Sequence, residues 1–577
     1  YHRWHYLMPV ISHPGVRLLG RAAVRSLVVL YFGFVLLVLA LRYLILPNIE
    51  SYRPEIERYV SQTLGLTVVI GKIEASWQGI NPDLILSDVR IADRQGQPAL
   101  AFTRVESVLS WSSLPRLQIR LRLLRIDAPT LHLRRDADGQ FYVAGIAVAP
   151  EGSDSGVADW VLAQKRIRIN GATVVWDDAR RGAPPLILED LNFALDNQGR
   201  QHRFGLTALP PAELASKVDL RGDLQGKNVA HTASWHGRIF AQIDYADLAI
   251  WSTWLDYPIA LPHGRGAVRA WAGFADGNLS ELTADLSLDD VNLRLARHLP
   301  ALELDHMSGR IGARFSQGRV SVDGQRVELV TRRLRGESDA LLESIHIEPT
   351  DFRVDWQRPA EGSSVRGSLT ASTLELAALA GLAAYLPLDT GSRQLLNDYA
   401  PRGRVSELRA SFQGDAEGLQ SYALKSSFHD LALKPRDHMP GISGFSGSLD
   451  ASEQGGTVQL RSQKVGIEFP DVLPESEIAL ETLTAQAKWK ISKGRFDAEL
   501  LRAEFAGPDA AGSAQGVYQR NGEEPGSIDL TATLTRADAR AVWRYLPAAI
   551  NVDARHWVRY AVKSGVASEA KFAFKGG

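Results

Sequence analysis

Two hydrophobic rhythms divide the chain. From Ser26 to Leu41 (SLVVLYFGFVLLVLAL) no residue is charged, and if Arg42 snorkels the apolar run continues to Leu46 and stops at Pro47. As a helix rising 1.5 Å per residue, positions 26–46 span about 31 Å, roughly one bilayer core. From Leu66 onward the rhythm changes to short alternating stretches broken by Gly, Pro, Asp and Asn. The cleanest is Leu117-Gln118-Ile119-Arg120-Leu121-Arg122-Leu123, whose period of two predicts a strand with one dry and one wet face. Arg166–Ile169, Leu282–Leu288 and the trio Val291, Leu293 and Leu295 repeat the pattern, and Asp138-Gly139, Asp276-Gly277 and Asn521-Gly522 mark hairpins. Helical patterns are few, near 47–64, 247–256, 374–386, 392–399 and 537–563.

Charge orients the first helix. Arg17, Arg21 and Arg25 precede it and no acid occurs before Glu50, which places the N-terminus in the cytoplasm and everything after Pro47 across the membrane. A cleaved signal peptide fits less well, because the apolar core exceeds a usual h-region and no small-x-small site lies near Leu39–Tyr43. In residues 47–65, Ile49, Tyr52, Ile56, Tyr59, Val60 and Leu64 fall at helical spacing before Gly65. That segment reads equally as an amphipathic helix at the membrane or as a plug on the end of a β core. The chain opens on Tyr1 rather than Met, so native residues are expected to precede it.

Composition narrows the function. The 577 residues are too many for one ordinary core, and hydrophobic (45%) and charged (23%) contents are those of a folded chain. A formal net charge of −1 offers no field for nucleic acid, which is not expected as a partner. There is no cysteine, hence no disulfide, thiolate metal site or cysteine nucleophile.

The chain repeats itself. Gly403–Gly414 (GRVSELRASFQG) aligns without a gap with Gly565–Gly576 (GVASEAKFAFKG), each after a helix ending in Tyr-Leu-Pro and a Tyr-Ala pair. Leu248–Phe274 is a shorter relative. A second pair, Asp290–Pro300 and Asp430–Pro440, follows in the same order, so one supersecondary unit recurs along an axis. The third unit stops after its first strand, so the natural polypeptide is expected to continue past Gly577. The organisation predicted is a cytoplasmic N-terminus (1–25), a transmembrane helix (26–46), a juxtamembrane helix (47–65), a first β segment (66–246), repeat unit one (247–373), repeat unit two (374–536) and the start of a third (537–577).

Catalytic signatures are missing: there is no P-loop, H-E-x-x-H, G-x-S-x-G or dinucleotide fingerprint, so neither an enzyme nor a cofactor is expected. Asp177-Asp178 and Asp289-Asp290 read as solvated turns rather than metal carboxylates. His298 and His438 hold equivalent repeat positions beside Pro and read as turn structure, so no metal site is expected. Trp251, Trp254, Trp543 and Trp557 read as packing on flanking helices.

Taken together these residues resemble the AsmA-like envelope proteins of Gram-negative bacteria, of the YhdP type, over the whole chain. The resemblance is most specific at the anchor, at Tyr52–Glu57 (YRPEIE), at Gly65–Gly71 (GLTVVIG), at Trp77-Gln78-Gly79, at Leu84–Asp93 (LILSDVRIAD), at Pro129–Phe141 and at Ile169–Asp178. It implies a mostly β fold: an elongated, taco-shaped antiparallel β-groove with short flanking helices, held to the inner membrane by one N-terminal helix, with the bulk of the chain in the periplasm. The implied role is a bridge moving phospholipids towards the outer membrane, with outer-membrane contact through a part beyond Gly577. Strands laid across such a groove, about 30 of them at 4.8 Å each, would extend it on the order of 140 Å. On the residues alone, each apolar face is equally a sandwich core or a groove wall. The candidate lipid-contacting residues are Leu117, Ile119, Leu121, Leu123, Ile167, Ile169, Leu286, Leu288 and Leu293. The competing reading is a scaffold or chaperone for outer-membrane protein assembly that works through strand edges.

Overall fold

A computed structural model of the chain describes residues 14–64, 67–92, 98–116, 118–143, 146–148, 156–226, 232–254, 260–316, 318–332, 344–357, 364–386, 388, 390–415, 418–436, 439–470, 472–492, 494–522 and 526–576. Leu117, His438 and Gly65 lie outside them. The fold is mostly β, in two compact units: one takes in Tyr1–Pro210 and Arg221–Thr232, the other Pro211–Leu220 and Ala233–Gly577.

The first unit begins with the helix Pro14–Ala40, which continues through a wider turn at Leu41–Ile45 and a tighter one at Leu46–Tyr52 into Arg53–Leu64. Pro47 cannot donate to the helix ladder, and the next residue, Asn48, leaves helical geometry (φ −108°, ψ 22°), so the axis is interrupted where the apolar run ends. Among the described residues Ala22–Gln62 is the one stretch long and apolar enough to cross a membrane.

The helical segment from Leu46 to Leu64 is a side cover for the first strand, Thr67–Gln78. Its polar side chains meet that strand's free backbone edge: Ile73 N–H donates to Glu50 (2.8 Å), Ile70 N–H to Glu57 (2.6 Å) and Val68 N–H to Ser61 (2.9 Å), while Arg53 donates to the Gly71 carbonyl (2.8 Å). Its apolar side fills a core: Leu46 and Ile49 are buried with Val68, Ile70, Ile73, Val89, Ile91, Phe102 and Val105, and Ile56 and Val60 pack on them. An edge that would otherwise template another strand is thereby occupied.

Strands Thr67–Gln78, Asn81–Ala92, Pro98–Leu109 and Leu121–Asp127 run antiparallel in sequence. The meander is then interrupted. Leu121–Asp127 and its continuation Thr130–Arg135 lie parallel to one edge of Arg166–Asp178, turning between them at Ala128 (φ 49°) and Pro129. Antiparallel pairing resumes with Leu186–Gln198 and Gln201–Leu209.

In the second unit each strand from His236–Asp247 to Ser527–Asp538 pairs antiparallel with the next, and Ala570–Gly576 follows last. Among the described residues its first and last strands do not pair, so this sheet is open. The expected strands at 282–288 and 291–295 are one strand, Asn278–Arg294. A bulge at Asp290 (φ 54°) joins them and turns both apolar stretches to the same face.

Such bulges recur. Arg326, Glu407, Asp430 and Lys464 also take positive φ and bend their strands locally, and Glu569 does so between the short strand Val566–Ala567 and Ala570–Gly576. Freed amides are caught by the neighbouring strand: Arg326 N–H donates to Asp351 (2.7 Å) and Asp430 N–H to Ser446 Oγ (3.1 Å). The repeat-equivalent pairs Asp290 and Asp430, and Glu407 and Glu569, share this backbone conformation (φ 54° and 50°, 53° and 59°), so the sequence repeat recurs as a repeat of bends. Gly403 (φ 105°) faces Asp430, where a β-carbon would fall 2.6 Å from that residue's carbonyl oxygen.

Candidate functional site

Directly opposed residues in a β ladder share a face, so the register can be followed from strand to strand. In the second unit one such file runs Ile239, Ala272, Leu282, Ala313, Val322, Val354, Leu369, Ala410, Leu424, Ala451, Gly456, Trp489, Ala498, Tyr518, Ile528 and Gly576. No member carries a charge, and the only polar side-chain atoms are the Trp489 indole nitrogen and the Tyr518 hydroxyl. At about 4.8 Å per strand the file extends roughly 70 Å. Parallel files flank it: Ala284, Ile311, Gly324, Phe352 and Ala371 on one side, Phe315, Val320, Trp356, Gly367, Phe412 and Tyr422 on the other.

The opposite face is the reverse. There the file runs Asp323, Arg353, Thr370, Arg409, Lys425, Asp450, Thr457, Lys488, Glu499, Val517, Asp529 and Lys575. Cross-strand ion pairs line it, Lys488 with Glu499 (2.7 Å) and Lys575 with Asp529 (3.0 Å) among them. Beside it Arg310 grips Asp285, and its hydrogen bonds hold that carboxyl below the usual carboxylate range despite partial burial. This face is built for water.

A sandwich core would bury the apolar files; here they stay open. Within the files Leu282 is 39% exposed, Phe315 40% and Phe412 38%, and most members are only half-buried. Burial is concentrated beyond the bulges, where Leu382 of the short helix Leu376–Leu382 packs with Leu288, Val291, Leu293, Leu302 and Leu304.

The first unit carries its own apolar file: Ile73, Leu86, Val105, Ile126, Ile169, Phe193 and Leu206. Ile167 stands in the adjoining file between Leu124 and Leu195.

The expected site residues are distributed accordingly. Ile167, Ile169 and Leu286 lie on apolar faces, Ile167 buried and the other two half-buried. Leu288 and Leu293 share the second unit's apolar face but are buried under Leu382 as core. The expected strand 117–123 starts only at Leu121, so Ile119 precedes it, following the helical turn Ser113–Arg116. Leu121 and Leu123 pair with Leu109 and Val108, whereas Leu124 pairs with Ser107, which shares a face with Val105. Leu123 therefore lies on the face away from Ile126 and Ile169, and between it and Leu121, which stands opposite Leu109, the register shifts by one residue. The adjacent pair Leu123-Leu124 is the sequence sign of that change of phase.

Two other expectations change. Asp178 is not a solvated turn: it is fully buried and paired with Arg135 through both nitrogens of a fork, with Arg181 3.7 Å away. Burial works to raise its pKa, but the hydrogen bonds and charge of Arg135, joined by Arg181, outweigh it and hold the carboxyl below the usual range. Asp290 is a bulge residue contacting Arg332 (2.7 Å) and Arg265 (3.3 Å), with Asp305 on the far side of Arg332 (2.9 Å). Among the described residues no group of His, Asp and Glu could hold a metal ion.

The first unit's helix is long and apolar enough to cross a membrane, and the second unit is an open antiparallel sheet, apolar on one face and charged on the other; together these define a class of mostly β proteins with an exposed apolar sheet face. Residues 13–577 match the family model described as YhdP protein, and the chain belongs to that family. It is 25% identical, over 98% of its length, to the Intermembrane phospholipid transporter YhdP of Escherichia coli (strain K12), of which the match covers 43%. The chain thus spans less than half the length of the curated relative it matches. No solved structure matches it.

Proposed function

We propose that the chain is the inner-membrane-anchored, periplasmic portion of a lipid-transfer bridge, and that phospholipid acyl chains travel along the uncovered apolar files towards the outer membrane. The continuity of the file from Ile239 to Gly576 carries this reading. An acyl chain entering water loses about 0.8 kcal/mol per CH₂. A single charged interruption would restore part of that barrier, and the file has none. The charged opposite face keeps the same sheet soluble in the periplasm. The relative's printed role as a phospholipid transporter supports the substrate class. The residues ask for no bond-making chemistry, so the proposed role is passive and without a cofactor.

The scaffold reading needs free strand edges. The outer edge of Thr67–Gln78 is taken by Glu50, Arg53, Glu57 and Ser61, which favours the lipid reading at that end. The test is lipid retention. The chain purified in mild detergent is expected to carry phospholipid, and Leu369→Asp together with Val354→Asp is expected to release it while far-UV circular dichroism stays unchanged. Equal phospholipid in the folded double variant would refute the proposal.

A further inference from the structure

The apolar helix does not stand apart from the β sheet. Phe34, inside the bilayer-length stretch, stacks edge-on against Trp111 with ring centroids 4.8 Å apart. Arg42, eight positions later, lies over the Trp77 ring at 5.6 Å. Along a helix those eight residues correspond to about 12 Å, close to the depth of one leaflet. With Arg42 at the headgroup level, Trp77 lies at the interface and Trp111 well inside it.

We propose that the turn after Thr67–Gln78 and the loop after Pro98–Leu109 form a lip inserted in the periplasmic leaflet, where phospholipid leaves the bilayer for the apolar face. The inference rests on the anchor reading above. Ile80 is 67% exposed and Leu114 49% exposed, apolar tips with no protein over them among the described residues. No charge occurs from Gln78 to Pro82 or from Leu109 to Pro115. The polar groups of this lip bond to one another, as hydrocarbon surroundings demand. Trp111 Nε1 donates to the Ile80 carbonyl (3.1 Å), Ser110 and Ser112 hydroxyls meet at 2.9 Å, and Ser113 Oγ donates to the Arg120 carbonyl while accepting from Arg120 N–H. Trp77 lies on the same strand face as Ile73 and Ala75, so the lip adjoins the apolar file of the first unit, whose Ile73 and Val105 are packed with Leu46 and Ile49.

Because the chain has no cysteine, any introduced thiol is unique. Full-length chain carrying Ile80→Cys, Leu114→Cys, Phe34→Cys or Lys425→Cys, labelled with an environment-sensitive fluorophore and reconstituted in phosphatidylethanolamine/phosphatidylglycerol vesicles, separates the cases. Labels at 80 and 114 are expected to be quenched by spin-labelled lipid as strongly as at 34, several-fold more than at 425, and to resist aqueous iodide. Labels at 80 and 114 open to iodide while 34 remains lipid-quenched would overturn the lip and leave the anchor standing. A label at 34 open to iodide would overturn the anchor, and the lip with it.

Discussion

The indole of Trp489 occupies the space that a side chain at Gly456, directly opposite on the neighbouring strand, would need: a β-carbon there would fall 2.6 Å from its Cζ2 atom. The same relationship recurs between Phe352 and Gly324 and between Phe412 and Gly367, all on the apolar face, and between Phe204 and Gly222 in the first unit. Large rings are thus laid over glycines rather than stood upon the sheet. The surface gains aromatic area without losing clearance.

Gly367→Val tests this device, because the three atoms nearest to a β-carbon at Gly367 all belong to the Phe412 ring. The ring is forced off the floor, at a cost of about 1–3 kcal/mol. We expect a slightly lowered Tm and reduced phospholipid retention. Adding Phe412→Ala should restore retention, measured as lipid per protein by mass spectrometry; no recovery in the double variant would count against steric obstruction.

The apolar face has two kinds of leucine, and one substitution should tell them apart. Leu288→Asp buries a charge beneath Leu382 and should abolish cooperative folding, a loss of several kcal/mol. Leu369→Asp, at a half-buried open position, should leave the thermal melt within a few degrees of the parent and remove lipid. Identical melts for the two would contradict the division between core and open face.

At the outer edge of Thr67–Gln78, Glu57→Ala removes the acceptor of Ile70 N–H. A hydrogen bond to a charged group contributes about 1.5–3 kcal/mol, so amide exchange at Ile70 should accelerate roughly tenfold or more. Amides deep in the second unit, such as Leu424, should be unaffected. Hydrogen exchange by mass spectrometry reads both.

Asp178 gives the pH dependence. Its carboxyl is held below the ordinary range, so its pairing with Arg135 contributes stability that is complete above the unfolded pKa near about 4 and is lost as pH falls through the lower folded value. Arg135→Leu strands the buried carboxylate and should cost about 3–5 kcal/mol at neutral pH. In that variant only Arg181 opposes burial, the largest influence on Asp178, which raises its pKa. Stability should then recover as pH falls towards 5, the opposite slope from the parent, in melts recorded across pH 4–8.

The local β character was legible from period-two alternation, and the long apolar helix from its unbroken apolar run. The side of each strand was harder. Leu117–Leu123 looks like one clean strand, but the adjacent Leu123 and Leu124 put its even and odd positions on different faces, and only the pairing of Leu124 with Ile167 shows which face joins the file. The parallel step between Leu121–Asp127 and Arg166–Asp178 left no local mark, because a register between strands some 40 residues apart is a tertiary property. The bends at Asp290 and Asp430 interrupt alternation and so hide from periodicity, yet they lie in the repeated segments. Asp178 was misread because a Trp-Asp-Asp-Ala-Arg-Arg-Gly stretch has turn composition, while its burial depends on Arg135, far back in the chain.

The central claim is that phospholipid rides the uncovered apolar file and not the charged face of the same sheet. Photo-crosslinking amino acids placed in cells at Val322, Leu369 and Leu424, and on the other face at Arg353, Arg409 and Lys425, test it most directly. The account predicts phospholipid adducts from the first three and none above background from the second three. Adducts from both faces alike, or protein partners without lipid at Val322, Leu369 and Leu424, would contradict it.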